Sequence, residues 1–261
     1  MIPNIHFLGK VFNIYQIMTL VGIFTAGPYA MWAAKRRGKD NNDMLVLLLI
    51  SAIGVFLGMH LLYGITNLPL LIRIIRLQLV TDFRSFLDAV ITVFGGSVFY
   101  GGLLGGMAAG AIYIHKKSWD LSQWADLVTP AIPLFHFFGR IGCFLGGCCY
   151  GLSCSVGFVY HYSPVPGAND VRRFPIQLVE AGCNFLLFLI LDRLLRKNRC
   201  QGHLMPIYLT CYSILRFLLE FFRGDQIRGF LWGLSTSQWI SLLILAGVAI
   251  FEWVQRKKSI S

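Results

Sequence analysis

The sequence predicts an all-α polytopic membrane protein of about seven transmembrane helices. Of its 261 residues, 56% are hydrophobic and only 13% are charged. Several apolar runs reach the roughly 20 residues with which a helix crosses a bilayer. Strands would have to close into a barrel to satisfy their backbone in lipid, and no alternating strand pattern is present. We therefore expect residues 1–261 to form a single transmembrane domain.

The apolar runs and the charges between them place the spans. Residues 64–87 carry Arg73, Arg76 and Arg84 among apolar residues, too many charges to span, so we predict an interfacial amphipathic segment there. Five predicted spans have both ends defined: residues 15–34, 44–63, 90–115, 204–222 and 238–254. The fourth span starts at residue 121 and ends within residues 138–151, and the fifth starts at residue 175 and ends within the basic run 193–199.

Basic clusters predict the orientation. The clusters at 35–39, 116–117, 193–199 and 256–258 fall on one side if there are seven helices and the N-terminus is outside. The positive-inside rule then makes the C-terminus cytoplasmic and turns the amphipathic segment outward. Because the net charge of +11 is concentrated at helix ends, it does not indicate nucleic-acid binding. The remaining basic residues would lie outside, either solvated or bound to lipid phosphates, and they include Arg172, Arg173, Arg223 and Arg228.

One stretch, residues 138–151, combines an arginine with five glycines and three cysteines at the end of an apolar run. A charge at membrane depth is costly and by default marks a functional site facing the interior or a polar cavity. Glycines let a helix or a ligand approach the backbone. The alternative is a packing corner whose Arg140 reaches the membrane surface.

Other polar residues are predicted at the same outer level of the bundle, where they would form one buried network around an outward-opening cavity. Glu220 could serve as a structural ion-pair partner of Arg216 or Arg223, a role that can coexist with a functional one, and His60 could be a packed core histidine. Tyr15 and Tyr63 could equally belong to an interfacial aromatic belt. The set is Tyr15, His60, Tyr63, Tyr100, Arg140, Gln177, Glu180, Arg216, Glu220 and Arg223.

Helical spacing supports this interpretation. Residues spaced by three or four positions lie on the same face of a helix. A first inward-facing stripe, at i, i+4, i+8 and i+11, consists of Tyr212, Arg216, Glu220 and Arg223. A second, at i, i+3 and i+7, consists of Gln177, Glu180 and Asn184. In the third span, Gly102, Gly106 and Gly110 recur at every fourth residue, which predicts a close-packing helix face.

Four of the seven cysteines crowd into one outer segment: Cys143, Cys148, Cys149 and Cys154. They could be small packing residues, since buried cysteine behaves as a small hydrophobe. A disulfide is also open, because the outer compartment is oxidising, and so is a metal site or a catalytic thiol. The spacing is not a common zinc pattern, and we expect no metal and no cofactor.

Taken together, these residues resemble the bacterial prolipoprotein diacylglyceryl transferase family. The family signature Gly-Arg-x-Gly-Asn-Phe-x-Asn-Gly-Glu aligns with residues 139–148, and His-Gly-Gly-Leu aligns with residues 100–103. The family's His-Pro-Ser-Gln-Leu-Tyr-Glu aligns with residues 174–180, and its arginine, glutamate and Phe-Phe-Arg pattern aligns with residues 216–223. The matches run in the same order through nearly the whole chain.

The resemblance implies an enzyme in the bacterial plasma membrane with its active site toward the outer leaflet. Such an enzyme moves diacylglyceryl from phosphatidylglycerol to the thiol of a lipobox cysteine on a prolipoprotein and releases glycerol phosphate. Arg140 and Arg216 would hold the phosphate, and with Tyr100 they are the catalytic candidates. The substrate-binding candidates are Tyr15, His60, Gly101, Gly102, Gly142, Gln177, Glu180, Glu220 and Arg223.

The chain departs from the family pattern at several positions, and three of these departures bear on the chemistry. Tyr100 stands in place of a histidine, Cys143 in place of an asparagine and Cys148 in place of a glutamate. Tyrosine titrates near pH 10, so Tyr100 can donate a hydrogen bond but needs help to act as a base. We interpret the phosphate side as retained and the acceptor side as altered. A paralogue with a different acceptor, or a lipid-binding protein without catalysis, remains the alternative.

Overall fold

The computed structural model describes residues 4–7, 10–77, 81–96, 98–225 and 230–260. The α-helices are α1 (Ile14–Arg36), α2 (Asn41–Thr66), α3 (Leu68–Arg76), α4 (Phe83–Phe94), α5 (Phe99–Lys116), α6 (Leu121–Val128), α7 (Ala131–Gly146), α8 (Ile176–Arg196), α9 (Leu204–Leu219) and α10 (Thr236–Ile260). The strands of these residues form three antiparallel pairs: β1 (Asn4–Phe7) with β2 (Lys10–Asn13) before α1, β3 (Ser153–Val159) with β4 (Arg172–Arg173) between α7 and α8, and β5 (Phe230–Leu231) with β6 (Leu234–Ser235) between α9 and α10.

The all-α polytopic prediction is confirmed. Among the described residues, five helical stretches are long and apolar enough to cross a membrane: Ile14–Arg36, Asn41–Thr66, Leu121–Gly146, Leu204–Phe222 and Thr236–Lys257. The other two predicted spans correspond to α5 and α8. Glycines lower the hydropathy of α5, and α8 carries Glu180, Asp192, Arg193 and Arg196. The count of seven and the orientation stay predictions.

Two predicted helices are interrupted: residues 90–115 are wrong as a single helix, whereas Leu121–Gly146 still covers the predicted fourth span despite a break inside it. The predicted span 90–115 is split, because α4 ends at Phe94 and α5 begins at Phe99. Gly95 and Gly96 lie between them, and glycine is a poor helix former. The span starting at residue 121 breaks between α6 and α7 at Pro130, which has no backbone N–H to donate.

The predicted amphipathic segment, residues 64–87, covers all of one helix and the start of a second. Helix α3 covers Leu68–Arg76, and α4 begins at Phe83 behind a capping box. In this box the Asp82 carboxylate accepts a hydrogen bond from the Ser85 backbone at 2.7 Å, and the Ser85 hydroxyl accepts one from the Asp82 backbone at 3.0 Å. Helix α4 therefore starts before the predicted end of the segment.

The chain divides into two compact units, Ala34–Trp124 and Met1–Ala33 with Ala125–Ser261. In the first of these, α2 and α5 pack backbone to backbone. A Cβ added at Gly58 would overlap the carbonyl of Gly101, and one at Gly105 would overlap the carbonyl of Gly54. The closest approach of α5 to α2 is therefore made by Gly101 and Gly105, one residue before the predicted glycines. The predicted glycines, Gly102, Gly106 and Gly110, lie beside Val55 and Ser51 instead.

The other unit is built from α7 to α10 with the α1 residues of that unit. Helix α8 packs against α7 and α9, and α9 packs against α10. Helix α1 approaches α7 closely at two glycines: Gly22 lies against the ring of Phe135, and a Cβ at Gly142 would lie 3.0 Å from the Cβ of Met18. The end of α7, the start of α8 and the last turn of α9 thus belong to one packed unit. This unit holds most of the candidate residues.

Candidate active site

The end of α7 reverses around a glycine cap. Gly147 adopts a left-handed conformation with φ of 76°, which only glycine adopts at little cost. The Cys148 N–H then donates to the Cys143 carbonyl at 3.1 Å, closing the last turn. Cys149 follows with φ of 56°, which is unusual for a side-chain-bearing residue. This reversal folds residues 148 and 149 back over the last turn of α7, next to Arg140.

Arg140 is paired with the buried carboxylate of α8. Its Nη2 lies 2.8 Å from Glu180 Oε1. The Glu180 side chain is 2% exposed, whereas the Arg140 side chain retains 20% exposure. A buried carboxylate needs a partner, and the predicted inward stripe of α8 supplies it: Gln177, Glu180 and Asn184 are all buried, as the spacing predicts. Arg140 therefore keeps an accessible edge while Glu180 neutralises and orients it.

Helix α9 carries a second ion-pair network. Arg216 Nη1 lies 2.6 Å from Glu220 Oε2, and its Nη2 donates to the Ser237 hydroxyl of α10 at 3.0 Å. Arg223 forms a bidentate pair with Asp225 at 2.9 and 2.6 Å, and its Nε lies 4.0 Å from Glu220. The ion-pair role predicted as an alternative for Glu220 is confirmed. These arginines are almost fully buried, so their charges are balanced inside the protein.

Contacts through Cys149 connect the two networks. The Arg223 guanidinium donates toward the Cys149 sulfur. Arg140 interacts electrostatically with Cys149 and also with Tyr212, which lies one turn before Arg216 on α9. A hydrogen bond from the Cys143 thiol lowers the pKa of Cys149, and the charge of Arg223 acts in the same direction. The residues of this unit thus form one continuous polar cluster.

Gln177 fixes the segment after α7. Its amide nitrogen donates to the Cys148 carbonyl at 2.8 Å and to the Tyr160 hydroxyl at 3.2 Å. Burial raises the pKa of Tyr160 to about 12, so the phenol stays neutral at physiological pH. Because Gln177 itself is almost fully buried, it acts from inside the protein to hold the loop that carries Cys148 and Cys149.

Three of the four crowded cysteines come together. The sulfur atoms of Cys143, Cys148 and Cys149 all lie within 4.8 Å of one another, and all seven cysteines are free thiols. Cys154 lies apart from the three, in β3, where its thiol donates to the Val156 carbonyl at 2.6 Å. The predicted grouping of four cysteines is therefore a cluster of three, because β3 carries Cys154 away along its strand.

His136 is a member of the polar cluster that the sequence analysis missed. Its Nδ1 lies 3.3 Å from the Tyr208 hydroxyl, and its ring centroid lies 5.3 Å from that of Tyr212. It is also within electrostatic range of Arg140 and Glu180. Its position four residues before Arg140 puts both side chains on the same face of α7. That i, i+4 spacing was the available signal.

The remaining candidates have different surroundings. Tyr15, 44% exposed, packs at Gly142, so these two mark the contact of α1 with α7. In the unit of residues 34–124, His60 Nδ1 lies 2.9 Å from the Phe94 carbonyl, Gly101 is packed against Gly58, and Gly102 lies beside Val55. Tyr100 is half-buried at the start of α5. Tyr63 packs on Gly96.

The outward arginines are used within the structure where it describes them. Arg172 donates to the Ser155 carbonyl at 3.1 Å, and Arg173 lies 4.6 Å above the centre of the Tyr150 ring. Arg228 lies outside the described residues. Arg172 and Arg173 thus have protein partners in the β3–β4 region, whereas Arg140 pairs with the buried Glu180 carboxylate and keeps a partly exposed side chain.

Comparison with known proteins adds a family to this geometry. Residues 4–253 match the model of the family described as prolipoprotein diacylglyceryl transferase. The chain belongs to this family. A relative from Clostridium tetani is 34% identical over 241 residues, 91% of each chain. One from Clostridium perfringens is 34% identical over 257 residues, 96% of this chain and 95% of its own, and one from Idiomarina loihiensis is 37% identical over 186 residues, 68% of each. All three are named phosphatidylglycerol–prolipoprotein diacylglyceryl transferase.

Two of the departures from the family signature lie close together in the structure. Cys143 and Cys148 replace the signature asparagine and glutamate, and their sulfurs lie together in the three-cysteine cluster. The replacements are therefore one change of chemistry at one place, from amide and carboxylate groups to thiols. The arginine of the signature keeps its carboxylate partner.

Proposed function

We propose that this protein transfers the diacylglyceryl group of phosphatidylglycerol to a cysteine thiol in the lipobox of a prolipoprotein. In this reaction the thiol loses its proton, a carbon–sulfur bond forms at the glyceryl carbon, and the bond from that carbon to the phosphate oxygen breaks. The electron pair leaves with glycerol phosphate. The observation that carries the proposal is Arg140, held by Glu180 at 2.8 Å at the end of an apolar helix and still 20% exposed.

Arg140 suits the binding of a departing phosphate. Its planar guanidinium carries five donors, so a single carboxylate on one edge leaves others for phosphate oxygens. Charge-assisted hydrogen bonds to phosphate are stronger than neutral ones. Stabilisation of charge that develops in the transition state is usually the largest catalytic contribution. Arg140 would therefore hold the lipid phosphate and stabilise its growing negative charge.

Arg216 would act as the second cation of the site. Its two terminal nitrogens are bound by Glu220 and by the Ser237 hydroxyl, which fixes its orientation between α9 and α10. We propose that it contributes positive potential to the phosphate and keeps Glu220 in place beside Arg223. The contribution of Tyr100, Gly101 and Gly102 remains a prediction from the family resemblance.

The location of the reaction follows from the substrate. The apolar helices make this a multi-pass membrane protein, and we propose that it lies in the bacterial plasma membrane with the Arg140 site toward the outer leaflet. The basic clusters on the opposite ends of the predicted spans favour this orientation. A lipid headgroup and a secreted preprotein could then meet at the same level of the membrane.

A second candidate differs only in the acceptor. The replacement of two signature polar residues by Cys143 and Cys148 favours a changed acceptor side, while the Arg140–Glu180 pair favours a retained lipid phosphate. A related transferase would consume phosphatidylglycerol without modifying a lipobox peptide. Consumption of lipid without labelled peptide would select this candidate over the first.

The test is transfer from labelled phosphatidylglycerol in vesicles to a synthetic lipobox peptide by the purified protein. Arg140→Gln alone leaves the buried Glu180 unpaired, and breaking a buried pair costs about 3–5 kcal/mol. The double variant R140Q/E180Q removes both charges and avoids that cost. We expect it to fold and to lose transfer by roughly 100- to 1000-fold.

The matched control is Arg172→Gln, because Arg172 is exposed and its guanidinium donates to the Ser155 carbonyl at the protein surface. It should transfer at the wild-type rate. Size-exclusion elution and melting temperature show whether each variant is folded. A folded R140Q/E180Q protein with the wild-type rate would refute the role of Arg140.

A further inference from the structure

The three-cysteine cluster forms because the chain reverses direction at the end of α7. Cys143 lies in the last turn of α7, and the glycine cap at Gly147 returns the chain so that Cys148 N–H bonds the Cys143 carbonyl. The left-handed backbone of Cys149 then turns its side chain back to the same place. The three sulfurs lie within 4.8 Å of one another, and the Cys148 thiol donates to the Cys143 carbonyl at 3.8 Å. No neighbouring sulfur pair is a disulfide.

These distances suit a single metal ion. Zinc binds thiolate sulfur at about 2.3 Å, which places the sulfurs of a tetrahedral site about 3.8 Å apart. The observed limit of 4.8 Å requires each sulfur to move by a fraction of an ångström to about 1 Å. Small rotations of the side chains about their Cα–Cβ bonds would supply a movement of this size. Thiolates select soft cations such as zinc over magnesium or calcium.

The charges around the cluster also suit a metal. Three thiolates with Zn²⁺ carry a net charge of −1, and a buried anion needs compensation. The Arg223 guanidinium donates toward Cys149, and Arg140 lies within electrostatic range of the cluster. Gln177 holds the Cys148 carbonyl from α8 and so stiffens the loop. The ligands would therefore be positioned by a fixed backbone and neutralised by cations outside the first coordination sphere.

We propose that Cys143, Cys148 and Cys149 bind one Zn²⁺ through three thiolates, and that the fourth coordination position takes the thiol of the acceptor peptide. The second part rests on the proposed function. Three protein ligands with one open position is the arrangement of catalytic zinc, and a thiol that coordinates a metal is deprotonated. The site lies in the same polar cluster as Arg140, where the lipid phosphate would bind.

The step balances without a further reactant. The peptide thiol gives its proton to water when its sulfur coordinates the zinc. The sulfur then attacks the glyceryl carbon, and the carbon–oxygen bond breaks with its electron pair on glycerol phosphate. The product is a thioether, which is neutral and a weaker ligand than a thiolate, so it leaves the zinc and frees the fourth position. The zinc changes neither charge nor oxidation state.

The binding test needs no enzymatic activity. The full-length protein, purified in detergent under reducing conditions, is loaded with Zn²⁺ or Co²⁺ and its bound metal is measured by mass spectrometry. We expect one metal per chain and, with cobalt, the strong thiolate charge-transfer and tetrahedral ligand-field absorption bands. The variants C143S, C148S and C149S should each weaken binding by at least roughly 10- to 100-fold, while C154S should bind like wild type.

The thiol part has its own readout. A lipobox peptide should shift the cobalt bands, and the same peptide with serine in place of cysteine should leave them unchanged. Absence of stoichiometric uptake, or uptake that the three serine variants leave intact, would overturn the metal site. Full transfer by chelator-stripped protein would overturn the thiol-activating role and leave the proposed function standing. Metal binding without any lipid transfer would refute the proposed function and leave the site standing.

Discussion

Arg140 and Arg216 differ in how the protein uses them, although both were expected to hold the same phosphate. Arg140 retains an accessible edge, while the terminal nitrogens of Arg216 face Glu220 and Ser237. Helical spacing predicted that Arg216 faces inward, and the cost of a charge at membrane depth predicted the same for Arg140. The sequence offered Glu220 as a partner of Arg216, but it did not predict Ser237 from α10 or Glu180 from α8 as partners.

Two other features at this scale depended on three-dimensional structure. His136 lies on the Arg140 face of α7, and its Tyr208 partner comes from a helix more than 70 residues later in the sequence. The cysteine cluster depends on the left-handed cap at Gly147, which a spacing of cysteines alone does not reveal. The sequence analysis therefore left packing, disulfide and metal readings open at the same residues.

The geometry of Arg216 predicts that lysine cannot replace it. A lysine could still pair with Glu220, but it could not also reach Ser237 in the fixed fork that arginine provides. Loss of a hydrogen bond from a charged group costs about 1.5–3 kcal/mol. Arg216→Lys should therefore lower the melting temperature measured in detergent, and Ser237→Ala should reproduce part of that decrease.

Arg172→Lys is the control for this substitution. Arg172 is exposed, and its guanidinium donates one hydrogen bond, to the Ser155 carbonyl at 3.1 Å. Surface substitutions of this kind usually change stability by no more than about 0.5 kcal/mol, so the melting temperature should hardly change. Equal decreases for the lysine variants at 216 and 172 would contradict the special role assigned to the Arg216 fork.

Among the elements, the packing of α2 against α5 was predicted in part from the sequence pattern. The glycine repeat correctly predicted that α5 approaches another helix closely. It misplaced the closest face by one residue, because Gly101 and Gly105 meet Gly58 and Gly54 from α2. The partner glycines lie four apart in another helix, and only the structure shows how the two rows align. The same limit applies to the breaks at Gly95 and Pro130.

This packing predicts that Gly105→Ala is harmful. The added methyl group would overlap the Gly54 carbonyl, and overpacking of this kind costs about 1–3 kcal/mol. We expect a lower melting temperature in detergent and reduced transfer, since α5 carries Tyr100 at its start. Thermal unfolding followed by intrinsic fluorescence would measure the first effect.

Gly247→Ala provides the comparison within α10, where a Cβ meets nothing within 4 Å. Alanine is the better helix former by about 0.5–1 kcal/mol, so this variant should melt at or slightly above the wild-type temperature. If Gly105→Ala were as stable as Gly247→Ala, the close α2–α5 contact would not be present in the membrane protein.

At the scale of the whole molecule, composition and apolar run lengths predicted the all-α polytopic class, because lipid leaves the backbone few alternatives. The family followed from motifs spread over the chain, and the match over residues 4–253 agrees with it. The sequence did not predict that the chain divides into two compact units, since that division depends on which helices contact one another. Seven spans and an outer N-terminus stay predictions from charge bias.

The most direct test of the account is the stoichiometry of a single reaction mixture. Purified protein, phosphatidylglycerol vesicles and a lipobox peptide should yield one glycerol phosphate for each diacylglyceryl thioether found on the peptide by mass spectrometry. The serine form of the peptide should yield neither product. Phosphatidylglycerol that binds to the protein but gives neither glycerol phosphate nor thioether, in the presence of the cysteine peptide, would contradict the account.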